Sequence, residues 1–331
     1  MKKINFNHHF GLGGVAMGNG FKVLSDQESE QTLQAAWNAG VRYYDTSPWY
    51  GLGLSERRFG HFLHNQNRDD YTLTTKVGRV LKASEKIPDT MWNKPSPFDY
   101  KYDYTAEAVQ RSLEDSYQRL GIERIDYVFI HDLSPDHNGE YEEGTTWEDH
   151  FEVAKRGAMP YLESLKKEGV IKGWGLGVNT IEPILRTLNT EFEPDLFLSA
   201  ISYSLIDHQE ALDKLFPAIE EHGCGLIAAA PFNAGLLSGK ERYNYGGDMP
   251  DEKVQKLNAI KKIASKYDVD LSKASIQFSY APEVVSCVLA GASEPKQVEE
   301  NMQAFDYKIP KEFWQDLKNE GIIDERAETP G

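Results

Sequence analysis

One alternation, repeated along the whole chain, narrows the fold more than any other feature. Eight short runs, most of them apolar and rich in β-branched residues, stand at 11–17 (GLGGVAM), 41–46 (VRYYDT), 71–77 (YTLTTKV), 126–132 (DYVFIHD), 171–178 (IKGWGLGV), 196–202 (LFLSAIS), 225–231 (GLIAAAP) and 286–292 (SCVLAGA). Longer stretches of helical period separate them. Strands that alternate with helices pair in parallel through right-handed crossovers, and this leaves an open doubly wound sheet or a closed barrel. Eight units of one kind, with no break in composition, favour a (β/α)8 barrel and a single domain over 1–331. A chain of 331 residues suits that fold, which commonly takes roughly 250 residues and more.

The intervening segments carry helix punctuation. The stretch 25–40 opens on Ser25 and closes on Gly40, and the stretch 105–121 opens on Thr105 and closes on Gly121, as start and stop signals should. Within the second, Ala106, Val109, Leu113, Tyr117 and Leu120 recur at three- and four-residue intervals and form one apolar face. Two segments exceed ordinary loop length, 80–104 and 132–153. Both follow strands, so in a barrel they rise over the C-terminal mouth, where long loops are usually functional.

GLGGVA at 11–16 fits a loose dinucleotide fingerprint, but MGNGFK follows it. That motif must end a strand and open a helix whose N-terminus meets the pyrophosphate, and these residues break a helix at once. We therefore set the doubly wound dinucleotide reading aside.

Charge excludes some partners. With 52 acidic and 36 basic residues, the net charge of −16 argues against nucleic acid and anionic membranes as partners. A small-molecule substrate meets no such barrier. No apolar run is long enough to span a bilayer, and no secretory signal follows MKKINFNHHF, so a cytoplasmic location is expected. Cys224 and Cys287 lie in strand-like runs far apart and read as two buried small hydrophobes. No feature of the sequence speaks to oligomeric state.

Four polar groups stand at or just past the ends of the second, third and fourth strands: Asp45, Tyr50, Lys76 and His131. Parallel barrel strands all end at the same mouth, so these groups converge there. Singly, His131 reads as a core histidine, Asp45 as a turn residue, and Lys76 as the partner of Asp45 in a structural ion pair. Together they form a proton-transfer set. A phenol with a free pKa near 10 is a poor shuttle at neutral pH, and an adjacent ammonium is expected to lower it. A carboxylate holds the lysine, and a histidine can orient a substrate oxygen. No side chain carries hydride, so the set needs a nicotinamide.

The sequence resembles the aldo-keto reductases over nearly its whole length. The likeness rests on D-T-S-x-x-Y-G (45–51) followed by SERRFG, on TTK (74–76), RLGIERIDYVFIH (119–131) and GVN (177–179), and on GLLSGK (235–240) followed by ASEPKQVEEN (292–301). It implies a (β/α)8 barrel with a nicotinamide dinucleotide extended across the mouth. Tyr50 is then the general acid/base, Lys76 with Asp45 tunes it, and His131 positions the carbonyl. The implied cofactor contacts are Gly14, Asn179, Phe232, Gly235, Leu236, Ser238, Lys240, Gln297, Glu300 and Asn301. Within the family, GLGGVAMG and the loop around HDLSPDH resemble a branch of NAD-dependent dehydrogenases that oxidise aldoses such as L-fucose and include pyridoxal 4-dehydrogenase.

The resemblance also carries departures. Family members preferring NADP place a lysine and an arginine where Gly291 and Gln297 stand here, so NAD is the expected cofactor, with NADP possible through Lys296. A glutamine that holds the nicotinamide carboxamide falls near Ala200, and a tyrosine that stacks on the ring falls on Ala229, leaving Asn179 as the matching contact. Trp49 is the substrate-side candidate; Phe21, Trp147 and Phe151 read as ordinary loop packing, with further walls of the pocket as the alternative. Asp132 and His137 lack a recognised ligand spacing, so no metal is expected. Three functions stay open: an NAD-dependent dehydrogenase of an aldose or similar alcohol, pyridoxal included; an NADP(H)-dependent reductase of small aldehydes; and a nucleotide-sensing regulatory subunit.

Overall fold

The computed structural model describes residues 8–245 and 248–330. Ten strands form within them: β1 Phe10–Gly13, β2 Tyr43–Asp45, β3 Thr72–Val77, β4 Arg79–Ala83, β5 Phe98–Tyr102, β6 Tyr127–His131, β7 Gly173–Val178, β8 Leu196–Ala200, β9 Gly225–Ala229 and β10 Val285–Gly291. Eight close a parallel barrel in the order β1-β10-β9-β8-β7-β6-β3-β2, while β4 and β5 pair as a separate two-stranded sheet. All eight expected barrel strands are present.

Register brings the polar strand ends to one level. Asp45 lies opposite Gly13 on one side and Thr74 on the other. Lys76 faces Phe129, and His131 faces Gly177. Side chains of alternate residues point to opposite faces, so Tyr43 and Tyr44 separate. Tyr43 enters the barrel interior with Phe129, Leu196, Leu198, Ile227 and Cys287. Tyr44 packs outward into the layer between barrel and helices, edge-on to Phe59 and Tyr71. Both cysteines are buried and free.

The helix Asp26–Asn38 starts on a Ser25–Glu28 capping box. The helix Ala106–Leu120 starts on Thr105, ends on Gly121 at φ +63°, and buries Val109, Leu113 and Leu120. Among the described residues no helix is long and apolar enough to cross a membrane.

The two long segments carry secondary structure of their own. The segment 80–104 holds most of the antiparallel β4–β5 pair, with Arg79 opposite Tyr102. β3 reaches it through Gly78 at φ +116°, where a Cβ would stand 2.4 Å from the Tyr104 ring, so only glycine fits. In the segment 132–153 a helix begins at Trp147. Trp147 and Phe151 belong to the core, each 1% exposed, rather than walling a substrate pocket. Their spacing of four places them on one helical face, which packs inward.

Candidate active site

The buried ion pair organises the mouth. Lys76 Nζ donates to Asp45 Oδ2 at 2.6 Å and to the Thr46 carbonyl at 2.8 Å. The Thr74 hydroxyl donates to the other Asp45 oxygen at 2.7 Å. Both charged side chains are 1% exposed, which is tolerable because each is paired and further hydrogen-bonded. Above them the Tyr50 ring centre lies 4.6 Å from the Lys76 ammonium and 5.7 Å from the His131 ring. The four expected residues converge.

Electrostatics departs from the expectation in one respect. The Tyr50 phenol is held well above its ordinary value by burial, then by the Asp45 and Asp132 carboxylates, with Arg79 opposing them. The lowering expected from Lys76 does not appear. Its two described hydrogen bonds go to Asp45 and Thr46, and toward Tyr50 it presents a cation to the ring face. Burial pushes His131 well below its ordinary value, the Asp132 carboxylate opposes this, and the cations of Lys76, Arg79 and His137 add to the lowering, which favours the neutral ring. Its Nδ1 stands 3.2 Å from the Ser47 hydroxyl, which already accepts from the Trp49 amide at 3.1 Å. Its Nε2 lies 3.5 Å from an Asp132 oxygen, a group that accepts only. Those surroundings select the tautomer with the proton on Nε2.

A second charged cluster flanks the tetrad, and the sequence reading missed most of it. Arg79, 1% exposed, pairs with Asp132 and bonds the Tyr102 hydroxyl. His137 lies 3.2 Å from Asp132 and 3.1 Å from Glu140. Burial alone would lower His137, but those carboxylates outweigh it and hold it at about 10. The Arg79 guanidinium also sits 4.2 Å above the Trp49 ring. Trp49 in turn meets Tyr100 and Trp92 edge-on, at 4.7 and 5.6 Å. The signal available was Arg79 itself, a charge three residues beyond Lys76. Reading 80–104 as a loop hid the strand that turns this arginine into the site.

A cleft of about 1510 Å³ runs from this polar pocket across the mouth, and the four tetrad residues, Trp49 and all the implied cofactor contacts line it. At Gly14 a Cβ would stand 2.5 Å from Ser55 Oγ and 2.9 Å from the Asp45 carbonyl, so no side chain can occupy that floor. Phe232 precedes the turn Asn233–Ser238, in which Ala234 and Gly235 take positive φ and Lys240 N–H closes on the Gly235 carbonyl at 2.9 Å. Lys240 and Arg242 side chains border Gly235. Across the cleft, the helix Pro295–Gln303 begins without a side-chain cap and buries Asn301. Lys240 and Arg242, both lining the cleft, suit the phosphates of a dinucleotide. Phe21 also lines the cleft, under the Arg242 guanidinium at 3.9 Å.

With the barrel and its mouth described, comparison with known proteins defines the class. The chain belongs to the aldo/keto reductase family, whose model matches residues 9–320. Members are oxidoreductases that use nicotinamide cofactors. Among its relatives, the D-threo-aldose 1-dehydrogenase of Pseudomonas sp. is 36% identical over 95% of this chain and 94% of its own. The pyridoxal 4-dehydrogenase of Microbacterium luteolum is 33% identical over the same shares, 95% and 94%. In fold, an aldo-keto reductase of Bacillus halodurans in its holo form superposes with a TM-score of 0.70 at 24% identity, covering 94% of this chain and 91% of that one.

Proposed function

We propose that this protein is an NAD-dependent dehydrogenase of an aldose or a similar alcohol, with Tyr50 as the general acid/base. The observation that carries the reading is the Tyr50 ring held between the Lys76 ammonium at 4.6 Å and the neutral His131 ring at 5.7 Å, inside the long cleft. The residues present fit a nicotinamide dinucleotide. Gly14 leaves a bare floor, and Lys240 and Arg242 stand by the Gly235 turn on the same cleft. When bound, the cofactor accepts the hydride.

The chain's own residues handle the proton. Tyr50 accepts it from the substrate hydroxyl, and His131 donates from Nε2 to the same oxygen, stabilising the charge that develops there. Lys76, with its ammonium 4.6 Å from the Tyr50 ring, offsets the phenolate, while Asp45 keeps the lysine in place and itself holds the phenol up. In the opposite direction Tyr50 returns the proton to a carbonyl oxygen.

Support for NAD comes from the adenosine end. Gln297 uses its carbonyl to accept from the Ser293 amide at 2.9 Å and its amide to donate to Glu294 at 3.1 Å. Lys296 pairs with Glu300 at 3.5 Å, which diverts the neighbouring cation from a 2′-phosphate. The aromatic rings of Trp49, Trp92 and Tyr100 line the cleft together with Arg79, Asp132 and Glu140, the Arg79 guanidinium lying on Trp49, a mixture that suits a ring with one apolar face and several hydroxyls. Similarity to the aldose and pyridoxal dehydrogenases points the same way.

An NAD-reduction screen over L-fucose, other aldoses, pyridoxal and simple alcohols tests the reading. Turnover with an aldose supports it. Activity confined to NADPH and small aldehydes would replace it with a detoxifying reductase, and nucleotide binding without turnover would indicate a sensing subunit.

A further inference from the structure

We propose that Asp136 is a positioning residue for the nicotinamide end of the cofactor site, acting through Asn179. The proposal rests on the reading above, in which Asn179 contacts the carboxamide. Asn179 Nδ2 donates to Asp136 Oδ2 at 2.9 Å. A carboxylate only accepts, so the amide nitrogen must be the end turned toward Asp136. The amide is planar, and its carbonyl oxygen therefore points the other way, from a residue that lines the cleft. That oxygen matches a carboxamide NH2, a donor.

Asp136 is itself held. It sits in the turn Pro135–His137, and the fully buried Ser134 donates its hydroxyl to Oδ1. His137 Nε2 lies 3.6 Å from Oδ2. The need for such a brace is visible at two other lining positions. Ala200 and Ala229 border the same cleft and bring no side-chain donor or acceptor. A lone amide free to flip presents donor and acceptor about equally, whereas one tied to a carboxylate presents a single end. The same brace joins two functions, because the segment 131–137 also carries His131, Asp132 and His137. One short segment thus sets the substrate side and the cofactor amide together.

Calorimetric titration with NAD and NADH on the full chain tests this, using Asp136→Ala, Asn179→Ala, the double variant and Asp136→Asn. Each alanine variant is expected to weaken binding about fivefold to twentyfold, the loss of one hydrogen bond to a charged or amide group. The double variant should be no weaker than the weaker single one, since both remove the same contact. Asp136→Asn should bind within about threefold of wild type, because its carbonyl still accepts from Asn179. Transfer from NADH deuterated on one face should be stereospecific in wild type and leak to the other face in Asp136→Ala. Additive losses, unchanged binding in Asp136→Ala, or an Asp136→Asn as weak as the alanine would each overturn the proposal. A wild type that binds neither nucleotide would instead overturn the cofactor reading on which it rests.

Discussion

Lys76 and Asp45 form an ion pair 2.6 Å long with each side chain 1% exposed, directly beneath the phenol proposed to react. Such a pair stands only because both charges are matched. Asp45→Asn is expected to cost about 3–5 kcal/mol, the usual penalty for stranding a buried charge. Replacing both, as Asp45→Asn with Lys76→Met, should recover most of that stability while activity stays lost. Urea unfolding of the three proteins measures the first effect, and NAD reduction the second.

Tyr50→Phe keeps the ring and removes the proton. Turnover is expected to fall about 10²–10⁴-fold, the range for losing a general acid/base, with nucleotide affinity little changed. Full turnover in this variant would show that another group moves the proton.

The pH profile should respond to Asp132. Its carboxylate raises the Tyr50 phenol, whereas Arg79 lowers it. Asp132→Asn removes the raising charge and leaves Arg79 less neutralised, so the phenol pKa falls. Alcohol oxidation needs the phenolate, and its kcat/KM should therefore reach its alkaline plateau at lower pH than in wild type. A profile that moves upward would contradict the placement of this charge.

Stability should fall at both pH extremes through one cluster. His137 is held at about 10 against an ordinary 6.5. Its contribution is fully present below about 6.5 and is lost as pH rises through about 10. Glu140 is lowered to about 2 from 4.5, first by the hydrogen bond with His137, so its contribution is present above 4.5 and lost as pH falls through about 2. Urea midpoints measured across that range should decline on the alkaline side in wild type and decline less in His137→Gln.

Cofactor choice should yield to one residue. Gln297→Arg places a guanidinium beside the proposed adenosine end, where the native side chain bonds Ser293 and Glu294. A charge-assisted bond to a 2′-phosphate is worth ~1.5–3 kcal/mol, so NADP efficiency should rise about tenfold to a hundredfold over wild type. The ratio of kcat/KM with the two cofactors checks it.

Much of the architecture was legible locally. Periodicity separated eight barrel strands from their helices because burial on two faces and burial on one face leave different residue patterns. The position of Asp45, Lys76 and His131 at strand ends sufficed to bring them together, since parallel strands share one mouth. The segment 80–104 was misread as loop because β4 and β5 have one face half exposed, with Asp99 and Lys101 interrupting the apolar pattern. Trp147 and Phe151 were placed correctly in a long post-strand segment but not in the core, because a four-residue aromatic spacing does not say which way its face turns.

Residue type, period and strand-end position are properties of a few neighbouring positions, and the chain alone was enough to read the barrel and to propose the tetrad. The direction of the Tyr50 shift, the pairing of Arg79 with Asp132 and the brace from Asp136 to Asn179 were not available that way. Each depends on distance and burial between groups far apart in the chain. Those are set only when the barrel closes and its loops pack back over the mouth, where a few ångströms and the loss of water decide which charge prevails.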